Sequence, residues 1–173
     1  SYRTSHNCMN MIDGYTYWAH ISGRNKVFLD GVFIRLNTFN TDAEKQTVVS
    51  LQLMAGGPVA ASDLPTTIGN DMKYYTNAEL LELNKDGFVG KPLSDKLNDR
   101  NNEIWYGQMT NGDYVLGIFN RNDNSDQITV DFSTLGIQGE KQIRDLWEHV
   151  DEGSASSITV TIPAHGCKIV RLK

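Results

Sequence analysis

The spacing of apolar residues changes character near residue 95. Between Met9 and Ile21 the apolar positions are Met11, Ile12, Tyr15, Trp18 and Ile21. Offsets of three and four put these side chains on one helical face, with Gly14 as a weak point. The run Val27 to Leu36, VFLDGVFIRL, is mostly apolar and rich in β-branched and aromatic residues. It predicts a buried strand that carries Asp30 and Arg35. Residues 1–8 are long enough only to end a strand. Thr41-Asp42-Ala43-Glu44 is a capping box, in which the threonine hydroxyl accepts from the third helical amide and Glu44 reaches back. It predicts a helix to about Met54 with Val48, Leu51 and Met54 on the buried stripe, ended by Gly56-Gly57. Pro58 to Ala61 reads as a short strand ending at Ser62-Asp63. Thr76-Asn77-Ala78-Glu79 reads as a second capping box, opening a helix through Leu83 that Asp86-Gly87 stops. Strand, helix, strand, helix is the rhythm of a parallel sheet with crossover helices.

From residue 96 the runs are short and alternate. Lys96 to Asn102 is polar and loop-like, and strands are predicted at about 103–109, 113–120, 127–132, 141–147, 157–162 and 166–172. Asn111-Gly112 signals a hairpin, because both residues tolerate positive φ. Val130 and Phe132 alternate with Thr129 and Asp131, as when one face is buried. The chain therefore divides into an α/β part, residues 1–95, and an antiparallel all-β domain, residues 96–173.

Composition narrows the function. With 39% hydrophobic and 21% charged residues the chain has the makeup of a globular protein rather than a disordered one. A net charge of −5 and scattered lysines and arginines argue against a nucleic-acid partner. No apolar run approaches the roughly 18 residues of a membrane span. Cys8 and Cys167 read as two unpaired thiols. His149, His165 and Cys167 lack the close spacing of a metal motif. Ser1-Tyr2-Arg3 opens without Met and without a signal-like segment, which suggests a trimmed N-terminus.

Three phrases in the last seventy or so residues carry a resemblance: Trp105-Tyr106-Gly107 leading into Asn111 to Arg121, then Arg144 to His149, then Pro163 to Leu172. In this order they resemble the C-terminal domain of clan D, family 27 α-galactosidase-like glycoside hydrolases. The resemblance implies the last part of a (β/α)8 barrel followed by an antiparallel β-sandwich. Leu53 to Pro58 with Ser62-Asp63-Leu64 resembles the eighth helix–strand step, and Glu79 to Asp86 the join between barrel and sandwich. Arg3-Thr4-Ser5-His6-Asn7 resembles the end of the sixth strand, where the family has a sugar-binding Arg and, four residues later, an Asp that is the general acid/base. By this match Arg3 binds substrate and Asn7 stands at the acid/base position. Asp30 falls in the stretch where the family lines the sugar pocket with an acid.

Two departures bear on mechanism. The family's tryptophan-asparagine-aspartate-proline-aspartate motif is absent; Phe28-Leu29-Asp30-Gly31-Val32 stands near that place. An isomaltose- or dextran-type glucan therefore competes with an α-galactoside as substrate. Second, a retaining glycosidase needs two carboxyl groups about 5–5.5 Å apart, and an amide has no proton to donate. Asn7 is an engineered knock-out, or a native loss of activity, or the register is shifted and Asp13 or Asp30 does the work. The family's nucleophile lies on the fourth strand, which this chain does not supply, and a whole barrel takes eight strands and about 250 residues. The resemblance thus implies a carbohydrate substrate, the N-terminal remainder of the barrel as partner, no cofactor, and a secreted, periplasmic or lysosome-like compartment. The rival class is a non-catalytic carbohydrate-binding or accessory module, for which capped crossover helices and a strand bearing Asp30 have no use.

Other residues have plainer alternatives. Trp18 and Trp105 stack on sugar or anchor the core, and Trp147 reads as sandwich core. Asp63 lines an active-site end of a strand or bonds the adjacent turn. Pro163-Ala164-His165-Gly166 reads as a turn with positive φ at Gly166.

Overall fold

The computed structural model describes residues 2–31, 33–97 and 99–173, with the side chains of residues 2–9 and of Asn102 outside the described set. Tyr2–Trp18 forms helix α1, continued by a 3-10 turn at Ala19–Ile21. The helix expected from Met9 is present, but it extends back to Tyr2, so the strand end expected at residues 1–8 does not form. A parallel strand needs a neighbour for its amides and carbonyls, and the neighbour in this chain is itself not a continuous strand.

That neighbour is the segment 27–36, whose pairing among the described residues is two isolated parallel bridges, Ser22 with Val27 and Ile34 with Ala61. The Ile34 N–H donates to Ala60 O at 2.7 Å and the Ser62 N–H to Ile34 O at 2.8 Å, a single parallel rung with the segment 58–61, which forms a bridge at Ala61 rather than the expected strand. Burial is one-sided. Leu29, Ile34 and Leu36 are buried, whereas Phe28 and Phe33 are 66% and 72% exposed. The expectation of a strand buried on both faces is therefore corrected.

Asp42–Met54 is helix α2, and its capping box forms as predicted: Thr41 Oγ1 accepts from Glu44 N–H at 3.2 Å, and Glu44 Oε2 accepts from Thr41 N–H at 3.1 Å. Val48, Leu51 and Met54 are buried, but so are Val49, Ser50, Gln52 and Leu53. The helix is enclosed because it touches α1 on one side and the sheet described below on another. After it come α3, Met72–Tyr75, and α4, Ala78–Asp86. The cap of α4 is Asn77 rather than Thr76. Asn77 Oδ1 accepts from Leu80 N–H at 3.1 Å, while the Thr76 hydroxyl donates back to Met72 O. Glu79 does not reach back to its cap because it pairs with the sandwich. Gly87 closes α4 at φ 66°.

The strands are β1 Lys91–Pro92, β2 Ile104–Gln108, β3 Tyr114–Phe119, β4 Asp126–Asp131, β5 Lys141–Asp145, β6 Val150–Ala155, β7 Ser157–Ile162 and β8 Cys167–Leu172. Six form an antiparallel sheet in the order β1-β2-β3-β8-β5-β6, and β4 pairs with β7 in a second sheet. Strand β3 shows how the layers assemble. Val115 and Phe119 face the helical layer with Trp105, Met54 and Leu80. Leu116 and Ile118 face the second sheet with Val130 and Phe132. At β3 the larger sheet is thus buried on both faces. Gly117 faces the helices, where a Cβ would stand 3.1 Å from Met54 Cγ.

Two strands escape the sequence reading. β1 has only two residues. β6 is exposed almost throughout, so it carries no alternation to detect. Two turns also differ in detail. In the β2–β3 hairpin Gly112 takes φ 96°, while the Asn111 side chain accepts from Asp113 N–H at 3.1 Å. At the last turn His165, not Gly166, takes positive φ (56°). Gly166 is needed because a Cβ would come 2.7 Å from Pro163 Cγ. Trp147 lies in the seam between sandwich and helices instead of the sandwich interior. Its indole N–H donates to Ser50 Oγ at 2.8 Å, and its ring meets Tyr74 edge-on at 6.0 Å. Beside it, burial pushes the Cys167 thiol up to about 11, so it stays protonated at neutral pH.

The fold is the end of a (β/α)8 barrel followed by an antiparallel β-sandwich. The larger sheet begins at β1, Lys91–Pro92, ahead of the expected division at 95/96.

Candidate functional site

A hollow of about 670 Å³ opens between α1, the segment 27–36 and α2. Its aromatic walls include Trp18 from α1 and Phe28 and Phe33 from the irregular strand; its polar groups include Asp30, Arg35 and Gln52. Mostly apolar walls with a few convergent polar groups are the ordinary makeup of a ligand site. Aromatic faces beside a carboxylate, a guanidinium and an amide suit a ring with apolar faces and hydroxyl edges, which is the chemistry of a sugar.

Each wall has a local cause. Asp30 and Arg35 would fall on opposite faces of a regular strand, but in this irregular segment both are exposed. The Arg35 Nε–H donates to Asn37 Oδ1 at 3.1 Å. Tyr15 passes beneath Gly31, where a Cβ would sit 1.8 Å from its hydroxyl oxygen. Burial, and then the charge of Asp30, push the Tyr15 phenol far above its ordinary range, so it is neutral at any working pH.

Asp63 has the plainer of its two roles. Its carboxylate accepts from Leu36 N–H at 2.9 Å and Asn37 N–H at 3.3 Å, and the Tyr75 hydroxyl lies 2.7 Å from Oδ2. Burial alone would raise its pKa, but these donors hold it below the usual carboxylate range. It fixes the end of the segment that carries Asp30. Asp13 is tied across to the sandwich, with Oδ1 2.9 Å from Arg121 Nη2, and it does not line the hollow.

Of the three site residues named from the sequence, the structure puts Asp30 in the hollow. Arg3 and Asn7 fall within α1, and their side chains, like that of His6, lie outside the described residues. Asn10 and Met11, just after them on α1, line the hollow. Trp105 is fully buried, which removes it as a stacking platform, whereas Trp18 is half exposed at the hollow. Phe28, Phe33 and Gln52 were not singled out from the sequence. The readable signal was two aromatic residues, Phe28 and Phe33, in the same run as Asp30. Among the described residues no group of three or more His, Cys, Asp or Glu is placed to hold a metal, and no helix is long and apolar enough to cross a membrane.

Residues 99–172 match the alpha galactosidase C-terminal beta sandwich domain. Over 96% of its length the chain is 39% identical to isomalto-dextranase of Arthrobacter globiformis, of which it spans 27%. It is 25% identical over 147 residues to alpha-galactosidase D of Emericella nidulans, spanning 22% of that protein. In three dimensions it superposes on Arthrobacter globiformis isomalto-dextranase complexed with panose with a TM-score of 0.86, covering 92% of this chain and 28% of that one. A family 27 β-L-arabinopyranosidase from Geobacillus stearothermophilus gives the same TM-score at 18% identity, covering 98% and 42%. The chain thus spans about a quarter of these two curated relatives. Sandwich, helices and sequence agree: residues 99–172 belong to the α-galactosidase C-terminal β-sandwich domain, and the chain as a whole is similar to the C-terminal region of α-galactosidase-like, family 27 glycoside hydrolases.

Proposed function

We propose that this chain forms one wall of the sugar pocket of a retaining glycosidase acting on α-linked glucans of the isomalto-dextran type. Residues 1–95 close the barrel and residues 96–173 form the sandwich that supports it. The observation that carries the reading is the 39% identity to isomalto-dextranase, sustained over 96% of the chain, against 25% to an α-galactosidase. The hollow supports it, with Asp30 in its lining and Trp18 and Phe28 as apolar faces. An α-galactoside is the alternative substrate, favoured by the sandwich match at 99–172.

The reaction is a double displacement. A carboxylate attacks the anomeric carbon while an acid protonates the departing oxygen; the same group, now a base, then activates water. The nucleophile comes from the N-terminal remainder of the barrel, in the same polypeptide or a cleaved companion chain. Exposed Val27 and Leu64, outside the hollow, fit a surface that such a remainder covers. Arg3 and Asp30 bind the sugar. Asn7 holds the acid/base place but transfers no proton, so the polypeptide as it stands binds sugar and turns over poorly. The ion pair of Asp13 with Arg121 supports Asn7 over Asp13 as that place.

The test is Asn7→Asp in the intact polypeptide, assayed on an aryl α-glucoside with the anomer of the product followed by NMR. The expected result is a gain of about 10²–10⁴-fold, the usual worth of a general acid, with retained configuration. Unchanged hydrolysis, or an inverted product, overturns the reading.

A further inference from the structure

Lys91 begins the larger sheet, yet its side chain serves the helical layer. Its Nζ donates to Ser22 O at 2.6 Å and Ser22 Oγ at 2.7 Å, and also to Ala19 O. Ser22 Oγ in turn donates to Ala19 O at 2.9 Å. These oxygens close the 3-10 turn that continues α1, where the last carbonyls of a helix lack intrahelical donors. A cation there also faces the negative end of the helix dipole. Among the described residues the partners of this ammonium are uncharged oxygens. A surface lysine with a carboxylate in reach would form an ion pair instead. Burial, and then the charge of Lys26, push Lys91 below its usual range.

The same turn is held at a second point. Arg24 Nη2 lies 2.6 Å from Asp86 Oδ2 at the end of α4, and Asp86 Oδ1 accepts from Thr110 N–H at 3.0 Å in the β2–β3 hairpin. Farther back on α1, Asp13 pairs with Arg121. Helix α1 ends at Trp18, one residue before Ala19, and beyond the turn the chain runs on into Val27 and Phe28. Ser22 pairs directly with Val27. The Lys91 ammonium therefore fixes the junction from which both the Trp18 wall and the Phe28 wall depart.

We infer that Lys91 is a positioning residue through which the sandwich sets the Trp18 and Phe28 walls of the sugar hollow. The sandwich is then part of the site's machinery, although the residues that line the hollow all belong to the helical layer. This rests on reading the hollow as a sugar pocket, and the two claims fail separately.

The test compares Lys91→Met and Lys91→Arg with wild type in the intact polypeptide. Amide hydrogen exchange over residues 16–28 is read against α2 as internal reference, and the dissociation constant for panose is measured by titration calorimetry. Lys91→Met is expected to raise exchange at 19–27 on the order of tenfold, leave α2 unchanged and weaken panose binding on the order of tenfold. Lys91→Arg, which keeps the cation, should recover part of both. Wild-type exchange in Lys91→Met overturns the tether. Faster exchange with unchanged panose affinity overturns the positioning role and leaves the glycosidase reading standing. Wild type that binds no panose defeats the sugar pocket and with it the inference that Lys91 positions its walls.

Discussion

Arg144 on β5 meets Glu79 on the first turn of α4 in a two-pronged contact, Nη2 to Oε1 at 2.8 Å and Nε to Oε2 at 3.1 Å. His149 adds a third hydrogen bond to the same carboxylate at 2.7 Å. The pair joins the sandwich to the last barrel helix, and two parallel bonds fix orientation as well as distance.

This contact makes docking pH-dependent. Arg144 is the main cause that holds the Glu79 carboxyl at about 2, below its ordinary 4.5; partial burial opposes it, and His149 assists. A depressed folded-state pKa stabilises fully above the unfolded value and loses that contribution as pH falls through the folded value. Stability measured by thermal melting should therefore fall between about pH 5 and pH 2, and Glu79→Gln should lower the neutral-pH melting temperature and flatten that slope. A slope identical in the variant contradicts the assignment.

Capping of α4 separates two adjacent residues. Asn77→Ala removes the cap and also the donor to Leu146 O at 2.8 Å, so it should cost about 1–2 kcal/mol. Thr76→Ala loses only a hydroxyl bonded back to Met72 O and should stay within about 0.5 kcal/mol. Urea denaturation of the two variants checks the order.

Gly57 is required for steric reasons. A Cβ there would stand 2.2 Å from the backbone oxygen of Leu29, an atom that cannot step aside alone. Gly57→Ala should destabilise by about 1–3 kcal/mol and spread the segment 27–36 from α2. An unchanged denaturation midpoint would show that the segment gives way freely.

The two tryptophans should part company. Trp105→Ala empties a fully buried site and should cost about 3–5 kcal/mol. Trp18→Ala, half exposed at the hollow, should leave the melting temperature within a few degrees and weaken oligosaccharide binding. Calorimetry on both variants separates core from wall.

Much of this was legible in the residues. The Thr41 capping box and most sandwich strands arise from local chemistry, because their signals, a cap or an alternating face, are complete within a short window. The features that escaped are nonlocal. β6 has no buried face, so nothing in Val150 to Ala155 announces a strand. Glu79 looks like a capping-box acid until Arg144, 65 residues on, claims it. Residues 2–8 look like a strand end by family match but continue α1, since a parallel strand depends on neighbours that periodicity cannot supply. Asp30 was visible as a carboxylate in an apolar run; Lys91 was not, because its three oxygen partners lie about seventy residues earlier.

The most direct measurement is panose binding to the intact polypeptide, wild type against Asp30→Ala. Wild type should bind, and losing a charged hydrogen-bond partner should weaken binding about 10- to 100-fold. Absence of binding by wild type, or equal affinity in Asp30→Ala, would contradict a sugar pocket walled by this chain.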